Sequence, residues 1–140
     1  MATTAYRRVN IDGKSITETR VAAASLNPGS VVEINANDKF AQATTPFTGK
    51  RLYVLNPAYH QGADIAAAIP SGDSAVGEYL EDNRELAVRV AAGTYTKDQP
   101  MTIVGGVFAA VPATAGTYPI FGYSQDDATF AAADFLRAVS

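Results

Sequence analysis

The one histidine of the chain, His60, has Asp64 four residues further on. On a helix that spacing sets two metal ligands on one face, or an imidazole base beside the carboxylate that orients it. Neither a second histidine nor any cysteine accompanies the pair, so a histidine bonded locally in a loop is the better account. A second group, Glu78, Glu81, Asp82 and Glu85, raises calcium binding or paired-acid catalysis. Calcium loops place ligands at alternate positions around a glycine at the sharp turn, and positions 78–85 contain no glycine. A solvated turn explains these carboxylates more simply. The acids of a glycosidase can come from anywhere in a chain and leave no local spacing, but tryptophan, the usual sugar-stacking residue, is absent.

Nucleophile and phosphate motifs fare no better. Ser30 after Gly29, and Ser74 after Gly72-Asp73, lack the Gly-x-Ser-x-Gly context that exposes a serine at a strand-to-helix elbow. Gly105-Gly106 runs into Val-Phe-Ala without the Lys-Ser/Thr of a phosphate loop. The expectation is a protein that is not an enzyme and uses no cofactor and no metal.

These residues must be positioned by short strands. Leu86, Val88 and Val90 alternate with Ala87, Arg89 and Ala91, the two-residue period of a strand with one apolar face and one facing solvent. Ala92-Gly93 breaks that run, Thr94–Thr96 restarts it, and 97–100 turns the chain. The same grammar recurs along the sequence. Asp12-Gly13 suits a tight hairpin joining 6–11 to 15–24, and the mixed faces of 15–24 fit an edge strand. Asn27-Pro28-Gly29-Ser30 fits a type II turn, with glycine at the position that needs positive φ. Strands follow at 31–35, 39–43 and 51–55. Positions 58–74 form a long connection with an Ala-rich patch, 64–69, able to make a helical turn or two. Positions 75–80 are expected to pair with 85–91 across the acidic turn, and Gly105-Gly106 to close a hairpin between 101–104 and 107–111 through a type I′ turn. At the C-terminus Ala and Leu favour helix, but a closing strand at 135–139 fits the sheet count. Phe40, Phe47, Phe108 and Phe121 are assigned to the core. Tyr53, Tyr59, Tyr79, Tyr95, Tyr118 and Tyr123 are assigned to core edges or to interface anchors. The fold class is all-β, a jelly-roll-like antiparallel sandwich or barrel of about 8–10 short strands.

With 140 residues, 47% apolar and 18% charged, the chain is expected to form one domain over 1–140. Residues 1–14 are its candidate partner-contacting arm or edge hairpin. A net charge of -3 and the lack of any Lys/Arg run longer than two argue against nucleic acid as a partner. No segment has the apolar length of a membrane span or the apolar stretch of a secretion signal, which implies synthesis in the cytoplasm and no membrane partner.

In order, LNPGSVVEIN, GKRLYVLNP, GDSAVGEYLEDNRELAVRVAAGTYTKDQPMTI and GGVFAA resemble the cement, or decoration, proteins of tailed bacteriophage heads. The resemblance runs from about Leu26 to Ala110 and involves no catalytic motif. It implies a small β-rich structural protein on the outer surface of the virion capsid, made in the host cytoplasm. Such a protein clamps neighbouring copies of the major capsid protein and associates with itself, as a homodimer in preference to a trimer. Terminal arms and exposed loops are natural contact elements for such a clamp. The candidate partner-contacting residues are therefore Tyr6, Arg7 and Arg8 in the arm and Tyr59, His60 and Asp64 in the long connection, with plain solvent exposure an equal account of the two arginines. The alternative is a carbohydrate- or receptor-binding β-sandwich on a virion surface; a small β-fold hydrolase using scattered carboxylates is a third class.

Overall fold

The computed structural model describes residues 9–12, 16–43, 51–58, 65, 67–80, 85–111 and 120–139, and among them every regular element is a strand. In chain order these are β1 (Asn10–Asp12), β2 (Thr17–Val21), β3 (Val31–Ile34), β4 (Phe40–Gln42), β5 (Tyr53–Leu55), β6 (Ser74–Tyr79), β7 (Glu85–Val90), β8 (Gly93–Tyr95), β9 (Pro100–Val104), β10 (Val107–Ala110), β11 (Gly122–Ser124), β12 (Ala128–Phe130) and β13 (Asp134–Val139). The all-β class expected from the sequence is the one the chain adopts. The thirteen strands among the described residues exceed the expected count because several three-residue strands, such as β1 and β12, are too short to show an alternation.

The first half of the chain makes a five-stranded antiparallel sheet in the order β2-β6-β5-β3-β4. Its outer strands meet: Ala22 bridges Phe40 in parallel sense, and the Ala23 N–H donates to the Phe40 carbonyl at 2.9 Å. An odd number of antiparallel neighbours can close only through one parallel contact, so the sheet becomes a small barrel. Its inner face carries Ala22, Val32, Phe40, Tyr53, Leu55 and Ala75, one buried cluster with Leu26 and Ile69 at its end. Large side chains on β4 and β5 face small ones, Ala22 just after β2 and Ala75 and Gly77 on β6, which is how a narrow barrel is filled. Gly77 shows the limit of that space, because a Cβ there would lie 2.8 Å from Tyr53 Cβ and 3.0 Å from Phe40 Cζ.

The second half closes in the same way. Its strands run β1-β7-β10-β9-β11-β13, and β13 returns to pair with β7 along six residues. The β7–β10 contact is the parallel one. Register places Leu86, Val88, Val90, Met101, Ile103, Phe108, Leu136 and Ala138 on the inner face, all of them buried. Strands β8 and β12 form a separate two-stranded ribbon, anchored by Tyr95, whose ring lies 6.2 Å from Phe130.

The two barrels pack side by side in a sandwich-like arrangement. Val31 and Val54 point outward from the first barrel and join the same buried cluster as Phe135 on the outside of the second. The turn before β3 links them through backbone. Gly29 donates to Leu55 O at 2.8 Å and accepts from Arg89 N at 2.9 Å. Its φ of 81° is the positive value expected for this turn, and a Cβ would stand 2.9 Å from Phe135 Cε1 and 3.0 Å from Arg89 N. Glycine is therefore required here twice, for conformation and for space. A second link joins Val31 N to Gly106 O at 2.7 Å.

Several local expectations hold. The β9–β10 hairpin pairs Val104 with Val107 directly across Gly105-Gly106, and both glycines have positive φ (59° and 80°), as a type I′ turn requires. β2 lies at the margin of its sheet, and the chain closes on a strand at β13. Two pairings are corrected. β1 and β2 do not form a hairpin: β1 lies on β7, and β2 lies on β6. β6 and β7 likewise belong to different barrels, since each is a central strand that finds apolar cover among its own half of the chain. Ala87, expected on a solvent face, is fully buried, because the outside of β7 is covered by the first barrel and by β1. In the Ala-rich patch no described residue is helical, and Ile69 exchanges two backbone hydrogen bonds with Leu26 (3.0 and 2.7 Å).

Candidate functional site

Within β5, Tyr53 and Leu55 face the barrel interior, and Arg51 stands two residues before Tyr53, on the same side by the strand period. Arg51 and Tyr53 therefore come together at the entry to β5, which is one mouth of the first barrel. Antiparallel pairing brings the end of β3 (Ile34) to the same mouth, and the β3–β4 turn hangs over it. The Asn35 carboxamide Oδ1 accepts from the backbone N–H of Asn37 (2.9 Å) and of Lys39 (3.0 Å), building that turn as asparagine commonly does. Asp38 sits at its tip with φ 60°. Arg20 arrives from β2 on the inward side, opposite Ala75, and its guanidinium is held by Glu18 and by the Thr19 carbonyl (2.9 Å).

These five residues, Arg20, Ile34, Asp38, Arg51 and Tyr53, line an open pocket of about 270 Å³. Its floor is stiff. The Tyr53 ring is clamped between Phe40 and Tyr79, with centroids 5.5 and 5.6 Å away, and rests above Gly77. Arg51 is exposed, and its guanidinium makes neither a hydrogen bond nor an ion pair among the described residues. Among the described residues, two cations and one carboxylate thus face this opening, whose base is aromatic and whose wall, Ile34, is apolar.

Other polar groups have structural work. Asn56 Nδ2 donates to Glu78 Oε2 at 2.7 Å, and both residues are buried, so Glu78 is part of the packing against Asn56. Glu85 lies 3.1 Å from Arg137 Nε, and Arg137 also meets Asp126 at 3.2 Å. Tyr95 is buried and donates to Ala91 O at 2.6 Å; burial pushes its phenol above the ordinary tyrosine value. Among the described residues, no group of three or more His, Asp or Glu is placed to hold a metal ion.

Of the residues proposed from sequence as partner contacts, Tyr6, Arg7, Arg8, Tyr59, His60 and Asp64 all lie outside the described residues, as do Glu81 and Asp82. The described part of the arm, 9–12, is bound to its own chain: Val9 is fully buried and its carbonyl accepts from Ala87 N at 2.8 Å. Sequence reasoning overlooked the Arg20–Arg51 pocket. An available signal was Arg-x-Tyr in a strand whose other face is apolar; the contribution of Arg20 needed the β2–β6 register.

No protein-family model matches the sequence, and no curated protein matches it. Among solved structures, the chain is similar to the head fiber gp8.5 N base of bacteriophage phi29. The TM-score is 0.54 over 91% of this chain and 95% of that one, at 13% sequence identity. At that identity the likeness is one of architecture, and it extends over nearly the whole of both chains.

Proposed function

We propose that this chain is a structural protein of a bacteriophage virion and, within that class, a cement protein seated on the outer face of the head. The observation that carries the reading is the shared fold with a phage head-fiber base, in which almost nothing of either chain is left over. The resemblance of the 26–110 region to head decoration proteins points to the same part of the particle. In this reading the protein acts by binding alone. A homodimer bridges neighbouring major capsid proteins, and many weak attachments sum over the shell because each second contact of a tethered pair is made at high effective concentration.

Cryo-electron microscopy of purified particles tests this directly. Density for the protein over the joints between capsid subunits is expected, together with earlier rupture on heating for particles that lack it. Density confined to the tail, or none on the particle, overturns the virion-head reading. A projection from the head with unchanged rupture keeps a head protein and discards the clamp.

A further inference from the structure

We propose that the mouth of the first barrel is an oxyanion site, taking one carboxylate or phosphate group between Arg51, Arg20 and the hydroxyl of Tyr53. Unused donors gather at this mouth. The Arg51 guanidinium and the Tyr53 hydroxyl make no hydrogen bond among the described residues, and both residues line the same opening. Arg20 adds a third donor group. Its contacts with Glu18 and Thr19 use one terminal nitrogen, leaving the other two nitrogens of the fork for a ligand.

Donor geometry and shape favour a small oxyanion. Among the described residues the lining sets Arg20 and Arg51 against Asp38, and Glu18 pairs with Arg20 behind it, so directed donors rather than an excess of positive charge carry the binding. A planar or tetrahedral oxyanion matches the fixed geometry of a guanidinium fork. The volume of about 270 Å³ admits the tip of an acidic side chain or a free small anion, and Ile34 and the Tyr53 ring give its carbon atoms an apolar surface. The site is pre-formed, because Tyr53 is wedged between two aromatic rings over Gly77 and loses little freedom on binding.

The test is a titration of the ¹⁵N-labelled protein with inorganic phosphate, and separately with acetate, at constant ionic strength. Saturable amide shifts confined to the neighbourhood of Arg20, Ile34, Asp38, Arg51 and Tyr53 are expected. Arg51→Ala, at an exposed position, should weaken binding by about tenfold or more, the loss of a charge-assisted hydrogen bond. Arg51→Lys should fall between the two. Tyr53→Phe should weaken binding with the fold intact, and Asp38→Asn should tighten it. Shifts that do not saturate, that scatter over the surface, or that survive Arg51→Ala overturn the proposal. The titration needs only the protein itself, so its outcome is independent of the virion reading. Attachment to particles lacking the protein then identifies the source of the oxyanion. Weakening by Arg51→Ala and competition by phosphate identify a carboxylate of a shell protein; unchanged attachment alongside intact phosphate binding identifies a free anion.

Discussion

The two barrels close by the same device, one parallel contact among antiparallel neighbours, but they are filled differently. The second holds branched aliphatic side chains with Met101 and Phe108, buried over the length of β7 and β13. In the first, Phe40, Tyr53 and Tyr79 stack against Ala22, Ala75 and Gly77, and one end opens beside two arginines. Aliphatic filling from several strands dominates the second core, with Ser124 and Asp134 as buried polar groups on the same side as Ala138 and Val90. Aromatic filling against small residues stiffens a floor and leaves its rim available for charge. The same topology thus carries a mainly aliphatic core in one half of the chain and an open, chemically equipped mouth in the other.

The largest expected effects come from emptying either barrel. Phe108→Ala and Phe40→Ala, at two fully buried positions, should each cost about 3–5 kcal/mol. Urea titrations measure both. If the barrels are one cooperative unit, amides of β7 and β5 lose protection together in either variant; separate losses break the picture of two coupled halves. Gly29→Ala attacks the coupling itself. Positive φ and the close approach to Phe135 and Arg89 should cost about 2–4 kcal/mol, and hydrogen exchange at Arg89 should rise first.

Smaller effects sharpen the contrast between polar and apolar filling. Asn56→Ala should destabilise by about 1–3 kcal/mol, since the buried Glu78 carboxylate loses a donor; a neutral result in thermal melts would mean that the carboxylate is fully served elsewhere. Tyr95→Phe should cost about 1 kcal/mol at neutral pH through the lost bond to Ala91. It should also flatten the alkaline limb. The native pKa lies above the ordinary 10.0, so the contribution of Tyr95 is complete below about pH 10 and is lost as pH rises from there through the native value. Denaturation midpoints of wild type and variant between pH 8 and 11 measure the difference.

The features legible in the sequence were those decided locally. Gly105-Gly106 fixes its hairpin because the two strands it joins are neighbours, and Pro28-Gly29 fixes its turn through φ alone. Strand partnership across the chain was not legible. Asp12-Gly13 has the composition of a hairpin turn, yet the flanking strands go to different barrels, because the burial of Val9 on β7 is a long-range gain that no local pattern encodes. Ala87 misled for a similar reason: alternation says which residues share a face, and only the packing of one barrel on another says whether that face is wet. The pocket was hidden in the same way. Arg51 and Tyr53 share a face by spacing, but Arg20 reaches them only through the β2–β6 register and the absence of a side chain at Gly77.

The position of β1 carries a consequence for synthesis. β2 to β6, which make the first barrel, leave the ribosome consecutively and can close while the remainder is still being translated. β1 is made before all of them, yet its partner β7 belongs to the second half. The N-terminal strand must therefore stay unpaired until β7 emerges, and it joins the structure after the barrel that follows it in sequence. Its docking across the two halves would be a late event, and the order in which the strands are born differs from the order in which they assemble.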